Sequence, residues 1–198
     1  MIPIDTIGGL LIAGGRSTRF GAEKALALFC GMPMMDRVAQ LFADLPAFSI
    51  GARPGSGAEA RGREAGIEVV FDDPAFPSGP LAGVLSGLVW ARQRGFAFLA
   101  SAPCDAPCLP GDLVARLAQN IGSARAAFAV TDSGQHPLCA LWSVGVHDTL
   151  RAQLQAGRHP SVRAFLAEIG AIPVHFDEAR AFANANTVEA LAALEGGA

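Results

Sequence analysis

A chain of 198 residues with 51% apolar residues and a formal net charge of −3 is long enough to bury one sizeable core and carries no basic excess. Its apolar runs fall well short of the ~20 residues needed to cross a bilayer, and without surplus Lys and Arg a broad nucleic-acid surface is excluded, so small-molecule partners are expected, with no nucleic acid and no membrane. Met1 to Ala13 carries Asp5 but no Lys or Arg, which speaks against a secretory leader. The four cysteines, Cys30, Cys104, Cys108 and Cys139, contain no C-x-x-C pair, so reduced thiols in a cytoplasmic protein are expected.

Ile7 to Ala13 predicts a short strand, apolar throughout and so covered on both faces, running into Gly14-Gly15-Arg16-Ser17-Thr18-Arg19-Phe20-Gly21. After Pro33, the residues Met35, Val38, Leu41 or Phe42, and Leu45 recur at helical spacing, and Pro46 ends that segment before a strand near Phe48 to Ile50. Glu68 to Phe71 predicts a third strand ending at Asp72-Asp73-Pro74. A helix then starts near Pro80, a residue suited to a first helical turn, with Leu81, Val84, Leu85, Leu88 and Val89 as its apolar stripe. Phe96 to Ala102 predicts a buried strand that stops at Pro103-Cys104-Asp105, and Leu113, Val114 and Leu117 mark the next helix. Further strands are expected near Ala126 to Thr131, Leu138 to Trp142 and Val174 to Phe176, with helices near Val144 to Gln155, Val162 to Ile169 and Val188 to Leu194.

Strands alternating with helices predict a single domain over residues 1–198, a three-layer α/β/α sandwich around a mostly parallel sheet of Rossmann-like type. Ligands of such sheets bind beyond the carboxyl ends of the strands. Gly14, Asp72 and Asp105 each follow a predicted strand, so three segments are expected to meet at one crevice.

The stretch Gly14 to Lys24 combines adjacent glycines, Arg16, Arg19 and Lys24. Backbone without side chains approaches phosphates closely, and the cations offset their charge, so it reads as a phosphate cradle, against the competing reading of a solvated turn. It matches neither G-x-G-x-x-G nor the P-loop pattern. Asp105, between Pro103 and Pro107, is a rigidly placed carboxylate of the kind Mg²⁺ takes, or else a turn aspartate. Asp72 and Asp73 before Pro74 divide in the same way. Gly79 and Pro80 place small residues at a helix start, where amide groups and the helix dipole favour an anion. Cys108 reads as a small buried hydrophobe. Asn186, with Glu189 three residues on, reads as the N-cap of the last helix, whereas Asn184 has no such local explanation.

Ile12-Ala13-Gly14-Gly15-Arg16-Ser17-Thr18-Arg19-Phe20-Gly21-Ala22-Glu23-Lys24 resembles the L-A-G-G-x-S-x-R-M-G-x-D-K signature of the molybdenum cofactor guanylyltransferases, a family of nucleotidyltransferases. Gly79 to Gly83, Pro103 to Pro107, His136-Pro137 and Phe182 to Thr187 are similar to its later motifs in the same order, so the resemblance covers nearly the whole chain. It implies that Ile12, Ala13, Gly14, Gly15, Lys24, Gly51, Asp72 and Asp105 hold GTP, that Asp105 holds Mg²⁺, and that Arg19, Lys24 and Asp105 are catalytic. Gly79, Pro80, His136, Asn184 and Asn186 are implied on the side of the molybdenum-molybdopterin substrate. The implied reaction is attack by the terminal phosphate of that pterin on the α-phosphorus of GTP, with release of pyrophosphate. Transient contact with cofactor-insertion proteins or a molybdoenzyme chaperone goes with such a role. The departures are Phe20 for Met, Glu23 for Asp, and Gly51 where some relatives have a nucleotide-contacting Asn. The rival readings are a cytidylyltransferase, whose relatives show Ala-Ala-Gly where this chain has Ala13-Gly14-Gly15, a sugar-1-phosphate nucleotidyltransferase, and a carrier that binds without turnover.

Overall fold

A strand that is apolar at consecutive positions has to be covered on both faces, and β1 (Ile7–Ile12) is flanked on each side by a parallel neighbour. In the computed structural model, which describes residues 2–15 and 23–196, β1 pairs with β4 (Phe48–Gly51) and with β6 (Phe98–Pro103). The sheet extends through β5 (Glu68–Val70) on one side and through β8 (Gly134–Ser143), β7 (Ala126–Thr131) and β9 (Ile172–His175) on the other. Its order is β5-β4-β1-β6-β8-β7-β9, and β8 alone runs against the rest. A two-stranded hairpin, β2 (Leu28–Phe29) and β3 (Met32–Pro33), stands apart from it.

Helices cover both faces, giving the three layers expected. On one face α1 (Met34–Ala39), α2 (Gly57–Glu64) and α4 (Leu113–Asn120) pack Met35, Val38, Ala58, Leu113 and Leu117 against Leu11, Ala100 and Leu141. On the other, α3 (Pro80–Gln93), α5 (His147–Gln155) and α6 (Val162–Glu168) pack Val84, Leu88, Leu150 and Phe165 against Leu10, Leu99 and Trp142. The last helix, α7 (Val188–Glu195), buries Leu191 with Phe29 and Met34 in a small separate cluster. Glycines in β1 make room for this packing: a Cβ on Gly8 would lie 2.6 Å from the Phe96 ring, and one on Gly9 2.8 Å from Phe42. Of the predicted stripe of α3, Leu81, Val84, Leu85 and Leu88 are buried and Val89 is half-buried, and Pro80 opens that helix as expected.

Several features depart from the sequence reading, the unforeseen β2–β3 hairpin among them. Helix α2 was not anticipated, because it buries only Ala58 and Gly62 and its sequence is otherwise polar. The helix expected from Met35 to Leu45 is α1 followed by a tighter turn over Gln40–Phe42. Strand β8 begins earlier than expected and takes in His136 and Pro137 by means of a bulge. Phe128 pairs with Ala140 and Ala129 with His136, so residues 137–139 of β8 have no opposite number on β7. A bulge is where a strand tolerates a proline, which has no amide hydrogen for the ladder.

Candidate active site

The chain runs from β1 outward to β4 and β5, then crosses by α3 to β6 on the other side of β1. That reversal opens a crevice at the carboxyl ends of the parallel strands. A cleft of about 610 Å³ lies there. It is lined by Gly14 and Gly15 after β1, Gly51 and Arg53 from β4 and its exit, Asp72 after β5, and Pro103, Cys104 and Asp105 at the end of β6. Ser78, Gly79, Pro80 and Gly83 at the start of α3, Leu138 from the β8 bulge, Lys24 with Ala25, and Asn186 before α7 complete the wall.

The floor is tied by backbone hydrogen bonds: the Ala13 amide donates to Gly51 O at 2.8 Å, and the Cys104 amide to Ile12 O at 3.0 Å. Packing does not require glycine at positions 14 and 15. A Cβ on Gly14 would meet nothing nearer than Gly51 O at 3.8 Å, and one on Gly15 nothing within 4 Å. The space that a side chain would fill belongs to the cleft.

Lys24 opens a short 3-10 turn, Lys24–Leu26, and its ammonium donates to Asp105 Oδ2 at 2.6 Å and to Asn186 Oδ1 at 2.7 Å. The other carboxylate oxygen, Asp105 Oδ1, is buried with no hydrogen-bond partner among the described residues. A buried ionised oxygen left unpaired is costly, so it marks a place where a ligand is expected. The carbonyl of Asp105 accepts from the Ala185 amide at 2.8 Å, which seats the 184–186 segment against the end of β6.

Asp72 lies beside the first turn of α3, where a Cβ on Gly83 would sit 3.7 Å from its Oδ1. Partial desolvation raises its carboxyl above the ordinary aspartate range. A carboxylate whose folded-state pKa exceeds its unfolded value costs stability as pH rises through the folded pKa. At pH 7, Asp72→Asn is therefore expected to melt at or above the wild-type temperature, with the difference vanishing near pH 3, where both forms are neutral. Thermal unfolding at the two pH values checks this, and a lower midpoint for the variant at pH 7 would contradict it.

Cys104 is pushed up to about 12 by burial and by the neighbouring Asp105 carboxylate, and Cys139 is raised by the same two causes. Neither supplies a thiolate near neutral pH. Cys108 is half-buried against the Phe29 cluster, the small hydrophobe expected of it.

The structure brings Ile12, Ala13, Gly14, Gly15, Lys24, Gly51, Asp72, Gly79, Pro80, Asp105 and Asn186 to one cleft. His136 stands outside its lining. Its Nε2 lies 2.9 Å from Thr131 Oγ1 and its ring stacks on Phe182 at 4.6 Å, behind the segment that leads to Asn186. Desolvation, with Arg163 adding to it, lowers its pKa, so the imidazole is neutral at pH 7. Asn184 is exposed and also outside the lining. Arg19 lies outside the described residues.

Asn186 requires a correction: the N-cap of α7 is Thr187, whose Oγ1 accepts from the Ala190 amide at 3.1 Å, and this leaves the Asn186 side chain to hold Lys24. Sequence reasoning also passed over Arg53 and Leu138. Arg53 follows β4 as Gly14 follows β1, so the strand-end rule that found Gly14 reaches it too.

The MobA-like NTP transferase domain family matches residues 9–172. Among curated proteins, the chain is 41% identical over 199 residues to a molybdenum cofactor guanylyltransferase of Burkholderia vietnamiensis, covering 96% of this chain and 95% of that protein. It is 39% identical over 189 residues to one of Cereibacter sphaeroides, covering 94% of each. Among solved structures, the molybdopterin-guanine dinucleotide biosynthesis protein A of Archaeoglobus fulgidus superposes with a TM-score of 0.77 at 20% identity, over 96% of this chain and 97% of that one, a likeness of fold. A fold with its cleft at the strand ends, a family match over most of the length and close relatives along nearly all of it place the chain in the MobA-like nucleotidyltransferases, as a member of the molybdenum cofactor guanylyltransferase family.

Proposed function

We propose that the chain transfers GMP from GTP to the terminal phosphate of the molybdenum-molybdopterin cofactor, giving the guanine dinucleotide form and pyrophosphate, in a single domain acting in the cytoplasm. The observation that carries the chemistry is the pairing of Lys24 with one oxygen of Asp105 while the other oxygen is buried and unpartnered among the described residues. Among the described residues no group of three His, Cys, Asp or Glu side chains forms a metal cage. An ion bound at Asp105 would accordingly draw its remaining ligands from phosphates and water, the habit of Mg²⁺. When bound, Mg²⁺ supplies charge neutralisation at the phosphates.

Asp105 is the residue to hold that ion, and Lys24 the one to bind phosphate oxygens and offset charge as pyrophosphate departs. Gly14 and Gly15 let the nucleotide lie against bare backbone, with Gly51 beside them. Arg53 adds a cation to the same wall. Gly79 and Pro80 at the start of α3 and Asn186 lie on the side assigned to the pterin, with His136 and Asn184 supporting that side from further back. No protein nucleophile is needed, because a phosphate monoester is already largely ionised near neutral pH. Hand-over of the product through cofactor-insertion proteins or a molybdoenzyme chaperone completes the role.

Turnover with GTP, CTP and ATP against the molybdenum-loaded cofactor tests the proposal. A buried polar group left unpaired by the wrong base costs about 1–3 kcal/mol, so GTP is expected to win by roughly one to two orders of magnitude in kcat/KM. Equal use of CTP would overturn the guanylyl assignment. Absence of pyrophosphate release with any of the three would overturn transfer itself.

A further inference from the structure

The residue before Lys24 makes contacts that the reaction does not account for. The carboxylate of Glu23 accepts from the first two amides of α2, Gly57 N to Oε2 at 2.6 Å and Ala58 N to Oε1 at 2.8 Å. Those amides have no partner within their own helix, and a carboxylate at a helix N-terminus satisfies them while complementing the dipole. The helix already has its own cap, since Ser56 Oγ accepts from the Glu59 amide at 3.2 Å. Its start is thus satisfied twice, once from within the helix and once from 34 residues upstream.

The contact is also closely packed. A Cβ on Gly57 would fall 2.5 Å from Leu26 Cδ1 and 2.9 Å from Glu23 Oε2, so a side chain there would push the ends of Leu26 and Glu23 away from the start of α2. The Leu26 amide closes that turn onto Glu23 O at 3.0 Å, and Lys24 projects from it to Asp105 and Asn186.

We infer that Glu23 is a positioning residue for the transfer reaction: bound to the start of α2, it fixes the backbone from which Lys24 reaches Asp105. The inference rests on the nucleotidyltransferase reading only for its kinetic consequence. Helix α2 serves here as an anchor for the lysine turn, a use that its weak burial of Ala58 and Gly62 alone does not explain.

The test compares Glu23→Ala and Gly57→Ala, which disrupt the contact from its two sides, with Ser56→Ala, which weakens the same helix start and leaves the contact in place. Two readings are taken, GTP-dependent pyrophosphate release and the rate of acetylation of Lys24 by a small acylating reagent, followed by mass spectrometry. Glu23→Ala and Gly57→Ala are each expected to lower kcat at least tenfold and to raise Lys24 labelling severalfold, because the Lys24 side chain is only 13% exposed in the native protein. Ser56→Ala is expected to stay within twofold of wild type on both.

Labelling unchanged in Glu23→Ala, or raised equally in Ser56→Ala, would overturn the inference whatever the turnover. Should wild-type protein release no pyrophosphate, the functional reading fails and the labelling comparison still decides the role of Glu23. If Glu23→Ala does not fold, Glu23→Gln, which keeps one acceptor oxygen, carries the same comparison, with unchanged labelling again overturning it.

Discussion

Asp105→Asn is expected to leave the fold intact and to lower nucleotidyl transfer by about 10²- to 10³-fold, the usual effect of removing one preorganised charge from a reacting centre. The amide keeps the shape of the side chain. Its oxygen still accepts from Lys24, and the backbone carbonyl still accepts from Ala185 N, so the 184–186 segment stays seated. What disappears is negative charge at a buried oxygen that has no hydrogen-bond partner among the described residues, the charge a bound cation would neutralise. Pyrophosphate release at saturating GTP and Mg²⁺ measures the loss, and thermal unfolding separates it from misfolding. Transfer within a few-fold of wild type, with normal stability, would remove Asp105 from the metal role.

Lys24→Ala is expected to weaken GTP binding and to slow transfer, each contributing to a fall of 10²-fold or more in kcat/KM. Unlike the aspartate variant it should also melt at a lower temperature. Lys24 joins two segments, donating to Asp105 and to Asn186, and its loss leaves both acceptors short of that partner. Lys24→Arg restores the charge but not the compact ammonium, so it should recover stability more fully than rate. Steady-state kinetics beside thermal midpoints for the three proteins test this. Unchanged KM and kcat in Lys24→Ala would return the glycine-rich stretch to a solvated turn.

Three of the site residues readable in the sequence, Gly14, Asp72 and Asp105, share one property: each sits at the end of a strand that is apolar enough to be recognised, whereas Lys24, Gly79, Pro80 and Asn186 came from local motifs and the family resemblance. Gly14 follows β1, Asp72 follows β5 and Asp105 follows β6, and the rule that ligands bind past the carboxyl ends of parallel strands brought them together. The layers were readable for the same reason, since the stripe of α3 and the uninterrupted β1 leave no choice of face. Helix α2 was not, because a helix held by Ala58, Gly62 and polar caps has no hydrophobic period. With α2 missed, the partner of Glu23 was missed as well. Asn186 was given to the cap because Glu189 stands three residues on, whereas the side chain that caps is that of Thr187 and that of Asn186 turns to Lys24. The bulge at Pro137 carries β8 back past Leu138, where the expected strand began, a local departure from pairing that periodicity does not report.

The lysine bridge described above spans 81 residues to Asp105 and 162 to Asn186. The β1–β6 pairing, Ile7 with Phe98, closes a loop as long as the one to Asp105, and once the sheet has formed the lysine contacts cost little further chain entropy. The reactive centre is therefore expected to assemble after the framework, with side chains in it contributing late on the folding route. Substitutions there act mainly on how fast the native state unfolds and little on how fast it forms. The chain can thus change its chemistry at Lys24, Asp105 and Asn186 without changing the path by which it reaches its shape.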